Sequence, residues 1–167
     1  MTDNLSPQAR ARTMAAVRSR DTRPEIMVRR HLHRAGFRFR LCAGGLPGRP
    51  DLVFPKFRAV IFINGCFWHG HDCPRFSWPR SRVEFWAEKI NTNKQRDLRN
   101  YEALQLAEWR VSVVWECALR GKERLGIDAV TAACGGWLQG SDRFLVITGD
   151  SRIATNDVLV GKSQANR

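Results

Sequence analysis

The sequence predicts an α/β fold, a mixed β-sheet flanked by helices. Three observations lead there. Short β-branched and aromatic runs, Asp51-Leu-Val-Phe54, Ala59-Val-Ile-Phe-Ile63 and Arg110-Val-Ser-Val-Val-Trp115, are mostly apolar, the mark of buried strands. Segments with helical spacing and recognisable start signals lie around them. Of the 167 residues, 43% are hydrophobic, enough for one domain to bury a core.

Each element has a local reason. Ser6-Pro7 reads as an N-cap and first-turn proline, opening a helix to about Arg18. Thr22-Arg-Pro-Glu25 is a capping box that starts a second helix, with Val28, Leu32 and Ala35 as its apolar stripe and Gly36 as its stop. Leu46-Pro-Gly-Arg-Pro50 is a loop, and a turn at Pro55-Lys56 joins the first two strands. The Gly-, Pro-, Cys- and His-rich stretch 65–80 should be irregular and held by something other than a core. Ser81-Arg-Val-Glu84 reads as another capping box, starting a long helix to about Ala107. Val83, Trp86, Ile90, Leu98, Tyr101 and Leu104 lie along it at helical spacing. A strand at 110–115 and a helix at 121–138 follow. From Gly140 the tail differs in character, and Phe144-Leu-Val-Ile-Thr148 can pair with Asp157-Val-Leu-Val160 as a hairpin. The expected division is an arm at 1–20, a main domain at 21–139 and a tail at 140–167 to which the sequence assigns no function.

Charge narrows the function. Lys+Arg number 28 against 16 Asp+Glu, a net charge of +12 with a pI near 10.7. Residues 1–50 carry eleven Arg, no Lys and three acids, whereas 101–150 carry five basic and seven acidic residues. A basic surface confined to the first hundred residues and dominated by Arg suits phosphate contact and a nucleic-acid partner. The longest wholly apolar run, Ala59–Ile63, is far too short to span a bilayer, and Met1-Thr-Asp-Asn-Leu-Ser-Pro7 has no signal-peptide core. A membrane or secreted protein is not expected.

Gly65-Cys-Phe-Trp-His-Gly-His-Asp-Cys73 packs two Cys and two His into eight positions, and Cys117 follows the strand ending near Trp115. Thiolate and imidazole are the ligands of closed, tetrahedral Zn²⁺ sites. Spacing leaves five candidates for four places: Cys66, His69, His71, Cys73 and Cys117. Cys42 and Cys134 read as ordinary buried thiols.

Asp51, after Pro50 at a strand start, resembles the proline-aspartate half of the PD-(D/E)xK nuclease motif, in which a carboxylate binds Mg²⁺. The matching second half reads Phe62-Ile-Asn64, without the second carboxylate or the lysine. Phe67, Trp68 and Trp86, in or beside the Cys/His loop, are either wedges for base-pair steps or a small core over the metal site.

The runs Leu46-Pro-Gly-Arg-Pro-Asp-Leu-Val53, Val60-Ile-Phe62, Gly65-Cys-Phe-Trp-His69, His71-x-Cys73, Glu84-Phe-Trp-x-Glu-Lys-Ile90 and Val114-Trp-Glu-Cys-Ala-Leu-Arg-Gly121 resemble, in order and spacing, the very short patch repair endonuclease family. The resemblance covers roughly residues 8 to 138. It implies a restriction-endonuclease-like fold and a Mg²⁺-dependent enzyme that nicks one strand 5′ to the thymine of a T:G mismatch, the product of 5-methylcytosine deamination. It assigns Zn²⁺ to Cys66, His71, Cys73 and Cys117, which leaves His69 as general base. Asp51 becomes the Mg²⁺ carboxylate, with the Ile63 carbonyl as a further ligand where the family usually has Thr. Asn64 stands where the family has a histidine; it can hydrogen-bond water but cannot share its proton. Glu25 matches an active-site acid. Phe67, Trp68 and Trp86 match residues that intercalate from the major groove, Met14 one that enters from the minor groove, and Lys89 and Asn93 contacts to the mismatched pair.

The implied partners are double-stranded DNA with a T:G mismatch, with functional links to a DNA cytosine methyltransferase and to mismatch-repair proteins. The protein is expected to be a monomer in the bacterial cytoplasm, associated with the nucleoid through DNA. Two other readings are a non-catalytic zinc-containing DNA-binding module and a same-fold endonuclease with a different DNA target.

Overall fold

The computed structural model describes residues 8, 12, 20–41, 44–149 and 153–156. Met14, Cys42 and the expected second hairpin strand from Asp157 lie outside them. Helix α1 spans Arg23–Arg34, with Thr22 at the N-cap. The capping box forms: the Thr22 hydroxyl accepts from the Glu25 N–H at 3.5 Å and donates to the Glu25 carboxylate at 2.8 Å. That carboxylate also reaches back to the Asp21 N–H at 3.0 Å, one residue before the N-cap, so the box satisfies the Glu25 and Asp21 donors from within the sequence.

Strands β1 (Leu52–Phe54) and β2 (Ala59–Asn64) form an antiparallel hairpin. A 3₁₀ turn at Pro55–Phe57 and Arg58, with φ +47°, closes it. Helix α2 (Val83–Leu106) leads to β3 (Arg110–Trp115), short α3 (Glu116–Leu119), α4 (Ile127–Gln139), β4 (Phe144–Ile147) and β5 (Ile153–Asn156). The sheet order is β1-β2-β3-β4-β5. The inner pairs β2·β3 and β3·β4 are parallel and the outer pairs antiparallel, so the sheet is mixed as predicted.

Side-chain alternation divides two cores. Leu52, Phe54, Ala59, Ile61, Ile63 and Val114 face α1 and α4 through Val28, Leu32, Val130, Cys134 and Trp137. Val53, Val60, Phe62, Val111 and Val113 face α2 through Tyr101 and Leu104. Fully burying each of Leu32, Leu52, Phe54 and Leu104 contributes about 1.5–3 kcal/mol.

Three expectations need correction. Helix α2 starts at Val83 without the Ser81–Glu84 box: Arg82 is the N-cap, in the left-handed region at φ +53°, and makes no side-chain cap bond. The helix expected at 121–138 begins only at Ile127, because Gly121 and Gly126 both adopt positive φ. The segment after Gly140 is not apart from the domain. Phe144–Ile147 pairs in parallel with β3, and the strand that turns back on it is 153–156. Among the described residues no helix is long and apolar enough to cross a membrane.

Candidate active site and metal centre

Alternation along β1 and β2 places Asp51 and Asn64 toward the α2 layer, beside Val53 and Phe62. The Asp51 carboxylate accepts the Ile63 N–H at 2.7 Å across the hairpin. Burial pushes its pKa up to about 6 against the restraint of that bond. Glu25 pushes in the same direction, while Arg29 and His69 pull the other way, so these four groups share one electrostatic neighbourhood. Glu25 is 4% exposed, and its carboxylate is committed to Thr22, Asp21 and Arg29, the last at 2.7 Å. Asn64 is buried and donates to the Tyr101 hydroxyl at 2.9 Å.

The 65–73 loop is held against α2. Gly70 has φ +57°, and a Cβ there would lie 2.5 Å from Ile90 and 2.6 Å from Lys94, so the approach requires glycine. Asn93 donates to the Trp68 carbonyl at 2.9 Å, which commits this residue to the loop's backbone. One helical turn on, Asp97 pairs with His69 Nδ1. A carboxylate only accepts, so Nδ1 is the donor of this bond, and in the neutral ring Nε2 is then the acceptor. Asn93, Asp97 and Tyr101 are spaced four apart and form one polar stripe of α2 against positions 68, 69 and 64.

His71 turns the other way. It stacks on Trp115, with ring centroids 4.1 Å apart and planes 12° apart, and its Nδ1 lies 3.6 Å from Cys117 Sγ. Donor atoms of Cys66, His71, Cys73 and Cys117 all lie within 4.8 Å of one another. These four can hold a metal ion, and His69 is outside the group. Burial raises the pKa of the Cys66 and Cys117 thiols; Cys73 adds to the rise in both, while the Gly149 N–H donated to Cys117 Sγ opposes it there. A divalent cation relieves that by accepting the thiolates. Cys134 stands alone in the core, with burial pushing its pKa up to about 12.

Phe67, Trp68 and Trp86 are half-buried and meet as one cluster, with ring centroids 5.2–5.9 Å apart. Phe76 extends the cluster from Phe67, and the more exposed Trp78 packs on Phe76. Lys89 is exposed, its ammonium 6.0 Å from the Phe85 ring. Sequence reasoning missed Arg29, Asp97 and Tyr101. The four-residue step from Asn93 was the signal available for Asp97 and Tyr101; Arg29 reads only as one arginine among many.

A family profile described as DNA mismatch endonuclease Vsr matches residues 2–75. The DNA mismatch endonuclease Vsr of Escherichia coli strain K12 is 45% identical over 140 residues, covering 84% of this chain and 90% of that protein. This chain belongs to the Vsr family. The type II nicking enzyme V.XorIIP of Xanthomonas oryzae pv. oryzae is 53% identical over 119 residues, 71% of this chain and 88% of the relative. V.NmeAIP of Neisseria meningitidis, also named a type II nicking enzyme, is 42% identical over 122 residues, 73% and 87% of the two chains. The Vsr profile takes in Glu25, Asp51, Asn64, His69, His71 and Cys73; the α2 stripe and Cys117 lie beyond its match.

Proposed function

We propose that this chain is a DNA mismatch endonuclease that nicks one strand 5′ to the thymine of a T:G mismatch left by deamination of 5-methylcytosine. Family membership supports nicking of mismatched DNA. The observation that carries the chemistry is the His69–Asp97 pair within electrostatic reach of buried Asp51. With Nδ1–H held by Asp97, His69 Nε2 is the base that takes a proton from the attacking water. Asp51 has one oxygen on the Ile63 N–H, and the other has no partner among the described residues. A desolvated carboxylate of this kind suits a hard cation, so Asp51 and the Ile63 carbonyl are the proposed Mg²⁺ ligands. Mg²⁺, when bound, supplies positive charge to the phosphoryl transition state. Glu25 acts on the site through its field and through Arg29.

Cys66, His71, Cys73 and Cys117 suit a structural Zn²⁺, because three thiols and an imidazole are its tetrahedral ligand set. The mixed sheet with helices on both faces suits a restriction-endonuclease-like fold. Phe67, Trp68 and Trp86 are the proposed major-groove wedges, with Lys89 beside them, and residues 1–20 with Met14 the minor-groove arm. Residues 21–139 carry the nuclease site. A T:G wobble stacks less well than a matched pair, so opening it costs less of the few kcal/mol that unstacking takes. The enzyme acts as a monomer in the bacterial cytoplasm, on the nucleoid. Its substrate links it to a DNA cytosine methyltransferase and to mismatch-repair proteins.

The test is a strand-specific nicking assay on duplexes that differ only in one T:G, T:A or C:G pair, at fixed salt, with Mg²⁺ or with EDTA. The expected result is a nick beside the T of T:G, with Mg²⁺ alone. Tight T:G binding without a nick under any divalent metal overturns the enzyme reading in favour of a binding module. Nicking of matched duplexes at a defined site overturns the mismatch target.

A further inference from the structure

Tyr101 is the one tyrosine of the chain. It projects from α2 into the layer beneath β2, 9% exposed, its ring packed on Phe62 at 5.0 Å and Phe144 at 6.2 Å. Aromatic packing alone would be served by phenylalanine. The hydroxyl, however, is engaged: it accepts from the buried Asn64 amide at 2.9 Å. Among the described residues its own O–H finds no acceptor. A buried donor left unmade costs about 1–3 kcal/mol unless water takes it. The charges that act most on this hydroxyl are the carboxylates of Asp97 and Asp51, two of the acids of the proposed site. Burial first, and those carboxylates after it, raise the phenol's pKa well above the ordinary value, so it stays neutral and keeps its proton.

We propose that Tyr101, oriented by Asn64, is a further catalytic residue of the site, donating its O–H to the water beside Asp51 that His69 activates through Nε2. Asn64 is then a positioning residue: by occupying the phenol oxygen as a donor it leaves Tyr101 donation as its remaining function. The division of labour fits the residue types, since an amide cannot move a proton but can fix the direction of one. The inference rests on the nuclease reading.

The experiment compares wild type, Tyr101→Phe, Asn64→Ala and the double variant on the T:G duplex, well below their melting temperatures. Tyr101→Phe keeps the ring and is expected to lower kcat about tenfold with KM unchanged. Asn64→Ala should give a similar loss, and the double variant little more than either, because the two act as a unit. A second readout needs no turnover. With the chain's single tyrosine ¹³C-labelled at Cζ, one NMR signal reports on this hydroxyl. It should shift in Asn64→Ala and again when the T:G duplex binds in Mg²⁺-free buffer. Wild-type kcat in Tyr101→Phe, or losses that simply multiply, overturns the proposal. So does a tyrosine signal indifferent to both Asn64 and DNA. A wild-type protein that nicks nothing refutes the nuclease reading instead.

Discussion

His69 and His71 lie two residues apart on one loop and end in opposite chemical surroundings. His71 joins three thiols from the same loop and from α3, stacked on Trp115, in a group whose donor atoms converge on one point. His69 leaves that group and pairs with Asp97 of α2, facing Asp51 from the start of β1. The first cluster is closed: all its donors are aimed at each other, and a single cation satisfies them. The second is open: among the described residues one Asp51 oxygen is uncommitted and no hydrogen-bond partner meets His69 Nε2, and burial raises the Asp51 pKa. Closed donor sets hold structure, while open ones leave valence for a substrate. The chain separates the two by a turn at Gly70, which packs too tightly on Ile90 and Lys94 for any side chain.

Substitutions can break this division. The largest expected effect is that of Asp51→Ala, which should reduce nicking below detection while leaving T:G binding intact in a mobility-shift titration. Residual nicking at the wild-type rate would remove Asp51 from the chemistry. Next comes a crossed pair. Cys117→Ser should lose zinc, measured by metal analysis of the purified protein, and should lower the melting temperature, because structural zinc contributes folding free energy directly. His69→Ala should keep full zinc and lose about 10²–10⁴-fold in kcat, the usual worth of a general base. If the metal losses fall the other way round, the two clusters have been assigned to the wrong histidines.

Asp97→Asn probes the open cluster more gently. It keeps the shape but can present an amide to Nδ1, freeing the imidazole to adopt the wrong tautomer. The expected loss is about 10–100-fold in kcat, as for outer partners of a functional histidine, with zinc content unchanged.

The smallest effect is one of pH on stability. The folded-state pKa of Asp51 lies near 6, above the ordinary 3.8, so the folded chain binds this proton more tightly than the unfolded one. Its contribution therefore grows as pH falls through about 6 towards 4 and is absent at higher pH, the reverse of an ion-paired carboxylate. Urea unfolding in Mg²⁺-free buffer should show wild type gaining on Asp51→Asn as the pH drops through that window. A gain in the opposite direction would mean that Asp51 is stabilised as the anion by a neighbour.

Legibility in the sequence followed the range of the interaction. The Thr22–Glu25 box, the β1–β2 hairpin about Pro55 and the length of α2 are set by neighbours within a few residues, and they form nearly where local rules place them. The Ser81–Glu84 box obeys the same rule and yet does not form, because Arg82 takes a left-handed conformation there. The segment from Gly140 looked separate because its partner, β3, stands some thirty residues earlier, and nothing local marks a parallel pairing.

The sequence by itself determined the closed cluster's membership to within one residue, since ligand chemistry and crowding into 66–73 are properties of composition and spacing. It also determined the basic surface, the aromatic group and, through motif order, the family. Spacing left the two histidines open and the family resemblance gave His71 to the thiols; only the tertiary structure shows what His69 meets instead, because that depends on α2 bringing Asp97 over the loop from twenty-eight residues away. It alone paired Asn64 with Tyr101 and committed Glu25 to Arg29. Those are contacts between side chains whose separation in sequence, or whose ordinary appearance, carries no signal until the sheet and the long helix have packed.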